Sequence, residues 1–139
     1  MERNLARLSV AADRVQADLR QTTSQPWTCS VDSDYVLSVT NGVVTERLQL
    51  ESEVEDEDWF APAEASTDEL GAGLDADADE LLATEVVEAL RGLGVTWPIC
   101  AQHRRVMGAC GGWWYCEGEP YHDVAEVGSL PGQQVASST

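Results

Sequence analysis

Apolar residues recur at alternating spacings of three and four near the start of the chain. They are Leu5, Leu8, Ala12, Val15 and Leu19. Because residues three and four apart lie on one side of a helix, the pattern predicts an amphipathic helix from about residue 3 to about residue 21. Its single apolar stripe is too short for a coiled coil, so we expect the helix to pack on the sheet that follows.

The pattern changes to an alternation typical of strands between Gln25 and Leu50. Asn41-Gly42 separates the runs YVLSVT and VVTERLQL, and this dipeptide favours a two-residue hairpin because a type I′ turn needs positive φ at both central residues. The sequence therefore predicts a three-stranded antiparallel sheet in which Thr40 faces Val43. One face of the last two strands is then apolar apart from Glu46, with Tyr35, Leu37, Val39, Val44, Leu48 and Leu50 upon it.

The alternation stops at an acidic segment that we interpret as a loop or linker, residues 51–73. It contains the run EVEDED, followed by Trp59-Phe60. Helical spacing then returns from about Leu74 to Leu93, with acids in the first turns and Arg91-Gly92 at the end, as a helix dipole and a left-handed cap require. A second helix is therefore predicted, with an anionic outer face.

Charge and length limit the classes of function. The chain has 139 residues, with 25 acidic against 8 basic ones and a net charge of −17. This field repels nucleic acids and anionic membranes and favours a protein partner with a basic surface. The start of the chain is polar and no stretch approaches the roughly 20 apolar residues of a membrane span, so we expect a soluble, cytoplasmic protein. Cysteines in that compartment are thiols or metal ligands more often than disulfides.

Two cysteines and both histidines of the chain have a spacing that suits one metal ion. Cys100 and His103 are separated by two residues, Cys116 follows after a predicted hairpin, and His122 comes six positions later. A strand, the Gly111-Gly112 turn and a second strand bring the two ligand pairs to the same end of the hairpin. Two thiolates and two imidazoles complete the tetrahedral coordination of zinc, so Zn²⁺ is the predicted cofactor.

The other two cysteines are assigned differently. Cys29 falls on the apolar face of the first strand and is interpreted as a small buried hydrophobe. Cys110 lies beside the Gly-Gly turn, far from the other ligands, and is left out of the set, although its replacement of His122 as a ligand stays open. A Cys110–Cys116 disulfide is an alternative, and so is a cluster without any metal.

The segment from Val95 to Val127 resembles a zinc ribbon. The resemblance covers a strand VTWPI, a first ligand turn from Cys100 to His103, the hairpin RRVMGAC-GG-WWYC, a second ligand turn from Cys116 to His122 and a strand DVAEVG. It implies that these four residues are the ligands. The second pair departs from that family, since five residues separate its members instead of two. The same segment also resembles the C-terminal part of small acidic proteins of high-GC actinobacteria and their phages, which implies no activity.

The fold class that follows is α+β, with an N-terminal helix, a three-stranded antiparallel sheet, a second helix and a C-terminal zinc ribbon. The expected organisation is an α-β-β-β-α domain, a zinc-ribbon-like module and a flexible tail, at residues 1–94, 95–130 and 131–139. The motifs G-x-S-x-G and HExxH and the phosphate-binding glycine loop are absent from the sequence, so we expect no enzyme.

The predicted function is therefore that of a zinc-stabilised protein-binding module, an adaptor or an assembly component. The residues predicted to bind the partner are Trp59, Phe60, Trp114, Arg104 and Arg105, since exposed aromatic rings and arginines are typical of contact surfaces. An alternative is an acidic mimic of the phosphate backbone, which inhibits a DNA- or RNA-binding protein.

Overall fold

The computed structural model describes residues 2–50, 71–100, 102–118 and 121–130. Over these ranges it contains two helices and six strands: α1 (Glu2–Thr22), β1 (Thr28–Val31), β2 (Val36–Thr40), β3 (Thr45–Gln49), α2 (Gly71–Gly92), β4 (Gly108–Cys110), β5 (Trp113–Cys116) and β6 (His122–Glu126). The strands form two three-stranded antiparallel sheets, in the orders β1-β2-β3 and β4-β5-β6. The α+β prediction is thus confirmed, including the order of helix, sheet and second helix.

The two helices share one core with both sheets. The predicted stripe of α1 is buried from Leu8 to Leu19, and α1 packs on α2 and on β1. Helix α2 contacts β2 and β3 of the first sheet and β4 of the second, so it packs against both sheets. Each fully buried leucine stabilises this core by about 1.5–3 kcal/mol. Neither helix, within the residues described, is long and apolar enough to cross a membrane.

The Asn41-Gly42 hairpin differs from its prediction. Thr40 pairs with Thr45, so the connection is a four-residue loop. The Asn41 side-chain oxygen accepts hydrogen bonds from the backbone N–H groups of Val43 and Val44, both at 2.9 Å, and these bonds stabilise the wider loop. The register differs from the predicted one by two residues, and because side chains alternate along a strand, the same residues still share a face. Val44 is the exception, since it is exposed in the loop.

Helix α2 also differs from its predicted bounds. It begins at Gly71, so Gly71–Gly73 belong to the helix instead of the acidic loop. At its C-terminus Val95 N–H donates to the Leu90 carbonyl and Gly94 N–H donates to that of Arg91, at 2.8 and 3.0 Å. This is a Schellman motif, and Gly94, at φ 84°, is its left-handed residue instead of the predicted Gly92.

The second sheet follows its predicted hairpin. Gly111 and Gly112, at φ 61° and 88°, form the two-residue turn between β4 and β5, and Cys110 pairs with Trp113. The predicted strand VTWPI is reduced to one bridging residue, since only Ile99 pairs, with Val106. Of the strands expected for a zinc ribbon, the described residues form β4, β5 and β6, and the ribbon itself stays a prediction.

A partly buried ion pair connects the two helices. Arg14 of α1 donates to Asp79 of α2 at 2.7 Å, and Asp79 is only 5% exposed. Asp79 is one of the acids in the first turns of the predicted helix, together with Asp75, Asp77 and Glu80. Its burial against Arg14 makes this carboxylate a contact between the two helices as well.

The carboxylate of Asp18 joins α1 to the C-terminal end of the described chain. Asp18 is 1% exposed and accepts hydrogen bonds from the Trp114 indole N–H at 2.8 Å and from the backbone N–H groups of Gly128 and Leu130 at 2.6 and 2.9 Å. Burial raises the pKa of Asp18 above its ordinary value, although the three donors favour the carboxylate. These bonds keep the second sheet against α1.

The indole of Trp97 also bonds to α1, one helical turn after Asp18 and on the same side. Trp97 Nε1 donates to the Thr22 hydroxyl at 2.9 Å, and the Trp97 and Trp114 rings meet edge to face with centroids 5.2 Å apart. Asp18 and Thr22 are four residues apart and so lie on one helix face. The last turns of α1 therefore hold both tryptophans in a fixed relation.

We predict that Asp18→Ala lowers the free energy of unfolding by roughly 3–5 kcal/mol, because the buried N–H donors of Trp114 and Leu130 and the half-buried one of Gly128 lose their acceptor. Urea unfolding followed by circular dichroism measures the change. Asp13→Ala, at an exposed position of the same helix, is the control and should change the free energy by less than about 0.5 kcal/mol. Equal effects of the two substitutions would contradict the role given to Asp18.

Candidate metal centre

The structure brings the four predicted ligand residues together. Cys100, His103, Cys116 and His122 each offer one ligand atom, and these atoms all lie within 4.8 Å of one another. Both cysteines are buried and both histidines are half-buried. The cluster is therefore closed towards the protein core and can hold a metal ion, as the sequence predicted.

The first ligand pair is positioned by a tight turn. Cys100 N–H donates to the Arg105 carbonyl at 2.9 Å, and Arg104 N–H donates back to the Cys100 carbonyl at 2.7 Å. Arg104 has a φ of 59°, the left-handed conformation that closes such a turn. The turn directs Cys100 and His103 to the same side, with Cys100 Sγ 3.7 Å from His103 Nδ1.

The second ligand pair is a cross-strand pair instead of the predicted second turn. Cys116 ends β5, His122 begins β6, and the two residues are directly opposite each other in the antiparallel register. Opposite residues have Cβ atoms about 5 Å apart on one face of a sheet. The gap of five residues, irregular for a ligand turn, is therefore what a hairpin connection between two facing ligands requires.

The distances within the cluster suit a tetrahedral ion. Cys116 Sγ lies 3.3 Å from His103 Nδ1, and Cys100 Sγ lies 3.8 Å from His122 Nε2. Zinc bonds of about 2.3 Å to sulfur and about 2.0 Å to nitrogen, at tetrahedral angles, place these atoms about 3.6 Å apart. The sulfur–nitrogen separations lie on either side of that value. The atoms that face the centre are Nδ1 of His103 and Nε2 of His122.

Local hydrogen bonds favour a thiolate at Cys100. Burial opposes ionisation of Cys100, but N–H donors of His103 and Gln102 and the neighbouring His103 and Cys116 side chains outweigh it and lower the pKa of the thiol to about 7. At Cys116, the backbone N–H of Gly118 donates to Sγ at 3.3 Å. Because the thiolate is the form that binds a metal, this environment prepares the site for a cation.

Gly118 is a site residue that the sequence analysis missed. It is buried, and a Cβ added to it would lie 2.6 Å from His103 Nδ1, closer than any real contact. Only glycine therefore allows the His103 ring to take its place beside Cys116. The signal in the sequence is the motif C-x-G, which begins at the second cysteine ligand and places a glycine just after the predicted strand.

The other two cysteines lie outside the cluster. Cys29 is buried in the core on β1, and this burial raises the pKa of its thiol to about 12, so it stays protonated. Cys110 is exposed at the turn end of the hairpin, opposite Trp113, while Cys116 lies at the other end of β5. All four cysteines are free thiols in the structure, so the alternative Cys110–Cys116 disulfide is not formed.

The residues predicted to bind a partner have three different outcomes. Trp114 is fully buried and bonded to Asp18, so its prediction as a contact residue is wrong, because the inward face of β5 carries Trp114 and Cys116. Arg104 and Arg105 are exposed in the ligand turn, and their binding role stays a prediction. Trp59 and Phe60 lie outside the described residues.

Comparison of the chain with protein-family models, with curated proteins and with solved structures found no match. The chemistry of the centre therefore rests on its own geometry.

We predict that Gly118→Ala weakens binding of a divalent metal by roughly tenfold or more, since the new methyl group displaces the His103 ring. Competition with a chromophoric chelator measures the affinity. Gly92→Ala is the matched control, because its methyl group would meet only the flexible end of the Glu46 side chain, at 3.3 Å. Unchanged affinity in Gly118→Ala would show that His103 is not a ligand.

Proposed function

We propose that Cys100, His103, Cys116 and His122 bind one Zn²⁺ ion and that this ion is structural. The observation that carries the proposal is the convergence of two thiols and two imidazole nitrogens at separations that suit tetrahedral zinc. Four protein ligands fill the coordination sphere, which is typical of structural zinc sites. Catalytic sites keep a position for water, so this ligand set supports the expectation of no enzymatic activity.

Zinc would join short segments of the chain to one another. The strands of the second sheet have only three to five residues, and two of the four ligands, Cys100 and His103, lie outside them in the turn after Ile99. Binding of zinc to modules of this size contributes folding free energy on the order of 10 kcal/mol. The ion would therefore hold the ligand turn against the ends of β5 and β6 and complete a zinc-ribbon-like module.

The biochemical role that we infer for the whole chain is binding of a protein partner, as an adaptor or assembly component. The net charge of −17 supports a partner with a basic surface and opposes direct contact with nucleic acid or an anionic membrane. The alternative, an inhibitor that mimics nucleic acid, needs acids on an ordered surface. Its strongest candidate, the acidic run at residues 51–58, lies outside the described residues.

We predict about one zinc ion per purified chain and its loss in Cys100→Ser and in Cys116→Ser, because the metal ligands are thiolates whose binding free energy is also folding free energy. Elemental analysis measures the metal, and near-ultraviolet circular dichroism of the tryptophans reports the fold. Cys29→Ala and Cys110→Ser are the matched cysteine controls and should keep the metal. Zinc-free wild-type protein, or loss of zinc from Cys110→Ser, would overturn the ligand set.

A further inference from the structure

The outer face of the second sheet exposes aromatic rings. Since side chains alternate along a strand, Trp114 and Cys116 point into the core, whereas Trp113 and Tyr115 point outwards. Trp113 is 42% exposed and Tyr121, just before β6, is 60% exposed. Single exposed rings are common on protein surfaces, but neighbouring exposed rings are typical of contact surfaces.

Two of the aromatic rings stack on each other. Tyr115 and Tyr121 stack with centroids 5.6 Å apart and an interplanar angle of 25°. The Tyr115 ring lies across the backbone of β4, where a Cβ added to Gly108 would meet its hydroxyl oxygen at 2.6 Å. Gly108 therefore leaves room for a flat ring, and the stacked pair offers a binding partner a surface that is already ordered.

Carboxylates lie beside the rings on the same strands. The register places Asp123 opposite Tyr115 and Glu126 opposite Trp113, and both acids are exposed. The Tyr121 hydroxyl lies 3.5 Å from Asp123 Oδ1. No arginine or lysine follows Arg105 in the sequence, so the strands of this sheet contribute no competing cation.

A groove continues this surface towards α2. It has a volume of about 230 Å³ and lies between α2 and the β4 edge, with Val87, Val106 and Tyr115 among its apolar lining. Glu88 and Arg91 of α2 also line it and form an ion pair at 3.6 Å. The groove can take the aliphatic part of a long side chain whose charged end reaches the rings and acids.

We propose that this aromatic face, defined by Trp113, Tyr115, Tyr121, Asp123 and Glu126, binds an arginine-bearing segment of a protein partner. The face combines the two features that recognise a guanidinium group, namely π surfaces within reach of a cation and carboxylates beside them. This proposal rests on the proposed function, since the zinc site at the ends of β5 and β6 holds the face in place.

Charge complementarity selects this occupant over others. A second copy of the chain also carries a net charge of −17 and is repelled, and the same holds for a nucleic acid or an anionic lipid surface. A purely apolar partner would leave Asp123 and Glu126 without compensation at the interface. A basic segment instead gains from the rings, the carboxylates and the overall field together.

Fluorescence anisotropy of a labelled peptide of alternating arginine and glycine, added to the zinc-loaded full chain at about 0.15 M salt, tests the proposal. The same peptide with citrulline in place of arginine keeps the shape and removes the charge, and it should bind at least tenfold more weakly. Trp113→Ala with Tyr121→Ala should weaken binding of the arginine peptide roughly tenfold. The control Val43→Ala with Val44→Ala removes exposed apolar groups from the loop between β2 and β3 and should bind like wild type.

A second pair of variants separates this face from the general acidity of the chain. Asp123→Asn with Glu126→Gln and the control Asp13→Asn with Asp34→Asn remove the same net charge at exposed positions. We expect the first pair to weaken binding at least threefold more than the second. Equal losses of affinity in the two charge pairs would overturn the proposal, and so would wild-type affinity of the aromatic variant. The proposal would also be overturned if the citrulline peptide bound as tightly as the arginine peptide, or if the arginine peptide did not bind.

Melting temperature and zinc content, measured on every sample, keep this test separate from that of the metal. If the double alanine variant has a lower melting temperature than wild type, Trp113→Leu with Tyr121→Leu replaces it in the binding test, since leucine keeps apolar volume but removes the π surfaces. Loss of peptide binding with zinc retained supports the aromatic face. Wild-type chain that binds the peptide without holding zinc would contradict the metal site alone, and dimerisation through these rings would contradict the arginine partner.

Discussion

Two indole hydrogen bonds to the end of α1 hold the molecule in its arrangement. Trp114 donates to Asp18 and Trp97 donates to Thr22, while the two rings pack edge to face. A buried carboxylate is costly unless its oxygens are paired, and Asp18 has three donors. These contacts therefore define one position of the second sheet against the helix, where apolar packing alone would tolerate several.

The same contacts prepare the candidate metal site. Trp114 precedes Cys116 by two residues on the inward face of β5, and Trp97 precedes Cys100 by three residues. By fixing the two tryptophans, α1 brings the segments that carry the two thiols close together. The hairpin register then places His122 opposite Cys116, and Gly118 leaves room for His103. A metal ion would thus stabilise an arrangement that the fold already favours.

The ligand set and most of the elements could be predicted because their signals are local. A Gly-Gly turn permits little besides a tight hairpin, so the hairpin and β5 were predicted correctly, whereas the strand predicted before the turn, RRVMGAC, is reduced to its last three residues in β4. Asn41-Gly42 was misleading because the Asn41 side chain also stabilises a wider loop. Gly92 was predicted as the helix cap because it follows Arg91, but Gly94 is the glycine that takes the left-handed conformation. The role of Asp18 and the burial of Trp114 depend on a contact between residues about a hundred positions apart in the sequence. No local pattern reveals such a contact.

The most direct test of the account is X-ray absorption spectroscopy at the zinc edge on the purified, metal-loaded chain. The geometry of Cys100, His103, Cys116 and His122 predicts two sulfur ligands at about 2.3 Å and two imidazole nitrogens at about 2.0–2.1 Å, with no water in the coordination shell. A shell of three sulfurs, which would bring in Cys110 in place of a histidine, or a shell that includes an oxygen ligand, would contradict it.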